Sequence, residues 1–128
     1  MKGLSAVLAI GAIVICGQAL AEEPTGQDLF RQCKTAMAFV AAGAKGNTDL
    51  FAIGQCYGLI SGVRDTMTLS SDWLPPNLKA CFPEGGFTNG EGAQFIVGYL
   101  NQKPFMLQAP DTAVAIEAFR AAYPCSKG

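Results

Sequence analysis

Cysteine count constrains this chain more than any other feature. The sequence holds five cysteines, and one of them, Cys16, falls in an N-terminal segment that reads as an export signal. Lys2 gives a positive start, Leu4 to Ile15 an apolar core rich in Ala, Ile and Val, and Ala19-Leu20-Ala21 an A-x-A cleavage site. The apolar run covers about a dozen residues, short of the roughly 20 that a membrane-crossing helix needs. A retained anchor is therefore the weaker reading. Lipidation is weaker still, because Ile15 stands before Cys16 where such a signal wants a small residue. Cleavage after Ala21 removes Cys16 and leaves Cys33, Cys56, Cys81 and Cys125. An even set in an exported chain is what a disulfide framework looks like.

The rest of the pattern is helical. Thr25-Gly-Gln-Asp28 has the form of a capping box with Asp in the Glu position, and Leu29, Cys33, Met37 and Val40 follow as one helical face. Gly43-Ala-Lys-Gly-Asn-Thr48 breaks that helix. Asp49 is placed to cap a second one, whose apolar stripe is Ile53, Cys56, Ile60, Val63 and Met67. Pro75 and Pro76 forbid its continuation through Ser70–Asn77. Thr88-Asn-Gly-Glu91 is a second capping-box match, leading into Phe95, Ile96, Tyr99 and Leu100, with Pro104 as a boundary. A last helix is expected from near Pro110-Asp111, burying Ala113, Ile116, Phe119 and Tyr123. No strand-like alternation of useful length occurs. The expectation is an all-α fold, a small disulfide-stapled bundle of about four helices in one domain from residue 22 to residue 128.

Helix order bears on cysteine pairing. A short turn near Lys45 makes the first two helices an antiparallel hairpin, with Cys33 and Cys56 at similar height on either side. Cys81 and Cys125 bracket the second helix pair. The expected bridges are Cys33–Cys56 and Cys81–Cys125, with Cys33–Cys125 plus Cys56–Cys81 as the alternative. A bridge closing a loop of this size contributes about 3–4 kcal/mol in the chain-entropy model.

Chemistry is scarce. The chain has no histidine, which excludes Ser-His-Asp and Cys-His nucleophiles and any zinc site built on imidazole. Charged residues make up 15% and the formal net charge is −1, with no basic cluster of the kind that neutralises phosphates, so nucleic acid is not an expected partner. Glu84 with Glu91, or Asp65 with Asp72, are the carboxylate pairs available for acid–base work, and neither sits in a recognisable motif. The reading is of a binding protein that is not an enzyme and takes no cofactor or metal.

Three features have a bland and a sharp reading each. Gly54, Gly58 and Gly62 recur every four residues along the second helix. Glycine inside a helix costs about 1 kcal/mol relative to Ala, so close packing of a partner helix is expected there, either within the chain or from a second subunit. Arg64 and Asp65 are either a solvated helix end or a device that orients a neighbouring loop or partner. Trp73, the single tryptophan, is either a core anchor or an exposed aromatic on the stiff Ser70–Asn77 loop, where it would make a good interface hot spot.

The run Cys56-Tyr-Gly-Leu-Ile-Ser-Gly-Val-Arg-Asp65 resembles the core signature of the Rap/Tai immunity proteins. Cys81-Phe-Pro83 followed by Thr88, then Tyr99-Leu100, Pro104 and Phe119…Tyr123-Pro124-Cys125, fit the same family in order and spacing. The resemblance runs from about Gly26 to Cys125. It implies a small, exported, all-helical protein that binds and blocks a peptidoglycan amidase toxin of a type VI secretion system in the periplasm, typically as a homodimer. A protruding part of such a protein occludes the toxin's active-site cleft. What carries over is the cysteine scaffold and the helix holding Gly58, Gly62 and Asp65. A toxin-binding loop does not carry over, since such surfaces differ between cognate pairs. The residues expected to contact a partner are therefore chosen from this chain's own pattern: Asp72, Trp73 and Leu74 first, and Glu84, within the Glu84–Gly92 segment, second. A small periplasmic acid-stress chaperone, or a helical binding protein without a toxin, is the alternative.

Overall fold

The computed structural model describes residues 22–46 and 48–126. The expected export signal, residues 1–21, lies outside the described residues. Four helices follow in order: α1 Gly26–Ala41, α2 Leu50–Leu69, α3 Asn89–Gln102 and α4 Asp111–Ala122. Short 3-10 turns at Pro76–Leu78 and Pro104–Gln108 lie in the α2–α3 and α3–α4 connections. No helix among the described residues is long and apolar enough to cross a membrane.

Each helix starts where a side chain or a bridge takes up its free N–H groups. The Asp28 carboxylate accepts from the Thr25 N–H at 3.0 Å and from its hydroxyl at 3.1 Å. Asp49 accepts from the Ala52 N–H at 3.0 Å. At α3 the box is reciprocal, with the Thr88 N–H donating to Glu91 at 2.7 Å and the Glu91 N–H donating to the Thr88 hydroxyl at 3.1 Å. The starts of α1 and α4 are tied together instead by main chain. Gly26 N–H donates to Ala109 O at 2.8 Å, and Asp111 N–H to Pro24 O at 3.1 Å.

Both expected disulfides form. Cys33–Cys56 joins α1 to α2, and Cys81–Cys125 ties the α2–α3 connection to the C-terminal end of the chain. Cys33 and Cys56 are fully buried, among Leu29, Ile60, Ile96, Leu100, Val114 and Phe119. Beside the first bridge the buried Gln32 amide donates to Gln55 at 3.1 Å, so its polar end is not left unpaired.

The stripe of α2 is buried as expected, from Ile53 through Met67. Those of the other helices are rotated by a residue or so. Val40, expected inside, is 61% exposed one residue before the end of α1, Met37 is half-buried, and burial along α1 stops at Ala36. In α4 the buried positions are Val114, Ala115, Ala118 and Phe119, while Ala113 and Ile116 are half-buried. A second nucleus is aromatic: the Phe87 ring contacts Phe82, Phe95, Phe119 and Tyr123 at centroid distances of 4.8–5.7 Å. Aromatic contacts of this kind add about 0.5–1.5 kcal/mol beyond burial.

Candidate binding surface

The C-terminal half of α2 organises the outer surface. On one side it forms an apolar groove of about 350 Å³ with the following loop and α4. Gly58, Leu59, Gly62, Val63 and Met67 supply one wall, and Leu74, Leu78 and Ile116 the other. The expected partner residues Asp72, Trp73 and Leu74 lie here. Asp72 is exposed, Trp73 is 85% exposed, and Leu74 turns inward to the groove. The core-anchor reading of Trp73 is thereby excluded. The loop is held stiff by the Trp73 and Leu74 N–H groups, which both donate to Ser70 O at 2.9 and 3.0 Å, and by Pro75-Pro76. A rigid loop presents an aromatic ring at little entropic cost.

Gly54, Gly58 and Gly62 are exposed, and a Cβ at any of them would meet nothing within 4 Å. Of the two packing partners open in the sequence, a helix of the same chain is excluded. Close packing inside the chain falls on other glycines. A Cβ on Gly92 would stand 2.6 Å from Ile60 Cγ2 and 3.0 Å from Phe87 Cε2. One on Gly26 would collide with Met106 O and lie 3.1 Å from Leu107 Cα. The four-residue period marks a shared face without saying what lies over it, and within the chain nothing does.

On the other side of α2, Arg64 fixes the turn after Cys81. Its Nη1 donates to Phe87 O at 3.1 Å and to Asn89 Oδ1 at 3.0 Å, its Nε donates to Asp65 at 2.9 Å, and its guanidinium lies 5.7 Å from the centre of the Phe87 ring. Ser61 Oγ donates to the same Asn89 oxygen at 3.0 Å. The sharper reading of Arg64 holds: it orients a loop. That loop, Pro83-Glu-Gly-Gly86, closes through the Gly86 N–H to Pro83 O at 2.9 Å, with Gly85 and Gly86 at φ of +82° and +70°. Glycine occupies this left-handed region without strain. The turn lifts Glu84 into solvent. Trp73 and Glu84 thus flank the end of α2 from opposite sides rather than meeting at one spot.

Two carboxylates are shifted, and both serve helix starts. Asp28 is held below the usual carboxylate range, chiefly by the Thr25 N–H and then by its hydroxyl. Glu91 is lowered in the same way by Thr88. With Glu91 engaged as a cap, the Glu84–Glu91 acid–base pair has no free partner. Among the described residues no three metal-ligating side chains gather.

Against known proteins, the family model for Rap1a immunity proteins matches residues 25–125. Comparison with curated proteins and with solved structures returned no match.

Proposed function

The chain belongs to the Rap1a immunity protein family, and from that membership we propose that it protects its cell by binding and blocking a peptidoglycan amidase toxin of a type VI secretion system. It acts in the periplasm after cleavage behind Ala21, as a homodimer, and by steric occlusion with no chemistry of its own. A type VI effector immunity protein needs a preformed surface that excludes substrate from the toxin's cleft. Rigid display suits that task because little motion is frozen on binding.

The observation that carries the proposed contact is Trp73, a tryptophan 85% exposed on a loop stiffened by two prolines. Tryptophan is enriched among the few residues that dominate interface energy. Asp72 adds an exposed carboxylate beside it, Leu74 anchors the loop in the groove, and Glu84 supplies a second contact across α2. The test is inhibition of peptidoglycan hydrolysis by the toxin. Trp73→Ala is expected to weaken inhibition by about 30-fold or more, equivalent to roughly 2 kcal/mol, with helical content unchanged. Undiminished inhibition by Trp73→Ala removes this loop from the contact, and the Glu84→Ala variant then tests the other side.

A further inference from the structure

The dipeptide Asn89-Gly90 opens α3 under the Arg64 clamp. Two donors converge on a single atom of it: Arg64 Nη1 and Ser61 Oγ both reach Asn89 Oδ1 at 3.0 Å. A charged donor and a hydroxyl on one amide oxygen are placed to stabilise the oxyanion that forms when that carbonyl carbon is attacked. The nearest nucleophile is the next main-chain nitrogen. Gly90 has no side chain to cover it, and even an added Cβ would meet only Thr88 Oγ1, at 3.9 Å. The Gly90 N–H lies in the first turn, before the helical ladder begins. Among the described residues it has no hydrogen-bond acceptor. The other asparagines, Asn47, Asn77 and Asn101, are followed by Thr, Leu and Gln, each with a side chain beside the same nitrogen.

We propose that Asn89 is a self-modification site, where the chain converts its own amide to a carboxylate with Arg64 and Ser61 as the oxyanion hole. The Gly90 nitrogen gives its proton to solvent hydroxide and bonds to Asn89 Cγ. It reaches Cγ by rotation of the Asn89 main chain while the clamp holds the side chain, and opening a first helical turn costs little free energy. The charge that develops on Oδ1 is held by Arg64 and Ser61. As it collapses, the Cγ–Nδ2 bond breaks, and Nδ2 takes a proton from water and leaves as ammonia, which regenerates the hydroxide. One water then opens the five-membered imide. Addition at Cγ leaves an aspartate at position 89; addition at the main-chain carbonyl leaves its isoaspartyl isomer. Asn89 is half-buried, so that water has a way in. The two products act differently on the neighbouring turn. The aspartate keeps both donors, now in charge-assisted bonds, and sets a negative side chain in a first helical turn, where it is favoured. The isoaspartyl link lengthens the main chain inside the Thr88–Glu91 capping box. The reaction thus tightens or releases the turn that presents Glu84.

No partner enters the measurement, so its outcome is separate from that of toxin inhibition. The full chain, purified oxidised, is held in buffer and sampled over time. Peptide mapping reads the mass gained when NH2 is replaced by OH and separates the two isomers. Conversion is expected at Asn89 ahead of Asn47, Asn77 and Asn101, and is expected to be lost over the same interval in Gly90→Ala. The decisive variant is Ser61→Ala, which deletes one of the two donors on Oδ1. With its helical signal retained, it is expected to convert about 10-fold more slowly than the unaltered chain. In urea, where the two donors no longer meet Asn89, both chains are expected to convert at one rate. A network that only held Asn89 still would give the opposite sign, faster conversion once Ser61 is removed. Folded Ser61→Ala that converts as fast as the unaltered chain or faster would overturn the proposal. So would a folded, unaltered chain that keeps its amide at Asn89 while the urea-unfolded chain converts.

Discussion

Gly92 and Gly58 separate two uses of the same residue. The methyl that Gly92→Ala adds would sit 2.6 Å from a β-branched, fully buried Ile60 and 3.0 Å from the Phe87 ring. Neither neighbour can swing away without disturbing the core. Overpacking of this kind costs about 1–3 kcal/mol, against which the better helix propensity of Ala returns at most about 1 kcal/mol. A net loss of stability is expected for Gly92→Ala in urea unfolding; a gain would mean that α3 can move off α2. The sequence marked Gly54, Gly58 and Gly62 by their even spacing, while Gly92, one residue past the Thr88–Glu91 capping motif, has no such pattern to single it out. Spacing reveals which residues share a face. Whether that face is covered depends on the angle at which another helix crosses, and no local pattern encodes that angle. Trp73 shows the same limit. Its flanking prolines made the loop legible, but the exposure of the ring was settled by Leu74, not Trp73, turning into the groove.

Helix boundaries were the most legible elements, because caps are local chemistry. Thr25, Asp49 and Thr88 each sit at the residue before a helix, as their side chains require. Replacing Thr88 by Ala removes the hydroxyl that accepts from the Glu91 N–H, at a cost of about 1 kcal/mol. It also removes one of the two Thr88 contacts that lower the Glu91 pKa, the backbone N–H being the larger. In an NMR titration Glu91 is expected to ionise below the ordinary glutamate value in the unaltered chain and nearer to it in Thr88→Ala. An unchanged midpoint would show that the hydroxyl is not involved. The sign of the stability effect follows from the lowered values at Asp28 and Glu91. Their contribution is complete above the ordinary carboxylate value and is lost as pH falls through the depressed folded values. The two capping boxes therefore stay intact at neutral pH and weaken only in strong acid. The 3-10 turns at Pro76–Leu78 and Pro104–Gln108 were not read from the sequence. Prolines there announced an interruption, and the short helical turns they begin depend on what the loops pack against.

At the scale of the molecule, two staples hold a small all-helical bundle, and they differ in access. Cys33 and Cys56 are fully buried, whereas Cys81 is exposed and Cys125 half-exposed. Thiol–disulfide exchange needs the attacking thiolate to reach a sulfur. Under mild reductant Cys81–Cys125 is expected to open first, as read by alkylation and mass spectrometry. Simultaneous loss of both bridges would instead mean that the bundle unfolds in one step once either is cut. Opening the outer bridge frees the segment that carries the Arg64-clamped turn, at a cost of about 3–4 kcal/mol of stability. The pairing itself was legible, because a two-helix hairpin leaves its two cysteines at one height. The partner surface was not, because binding residues on loops answer to another molecule's shape. In the proposed function, the rigid surface of this fold silences a cell-wall amidase. The most direct measurement titrates the oxidised chain into the peptidoglycan-hydrolysing protein that it captures from periplasmic and secreted extracts of its own organism. Hydrolysis is expected to fall to background near one equivalent. Hydrolysis that persists in excess of the chain, or a captured fraction that does not cleave peptidoglycan, would contradict the claim.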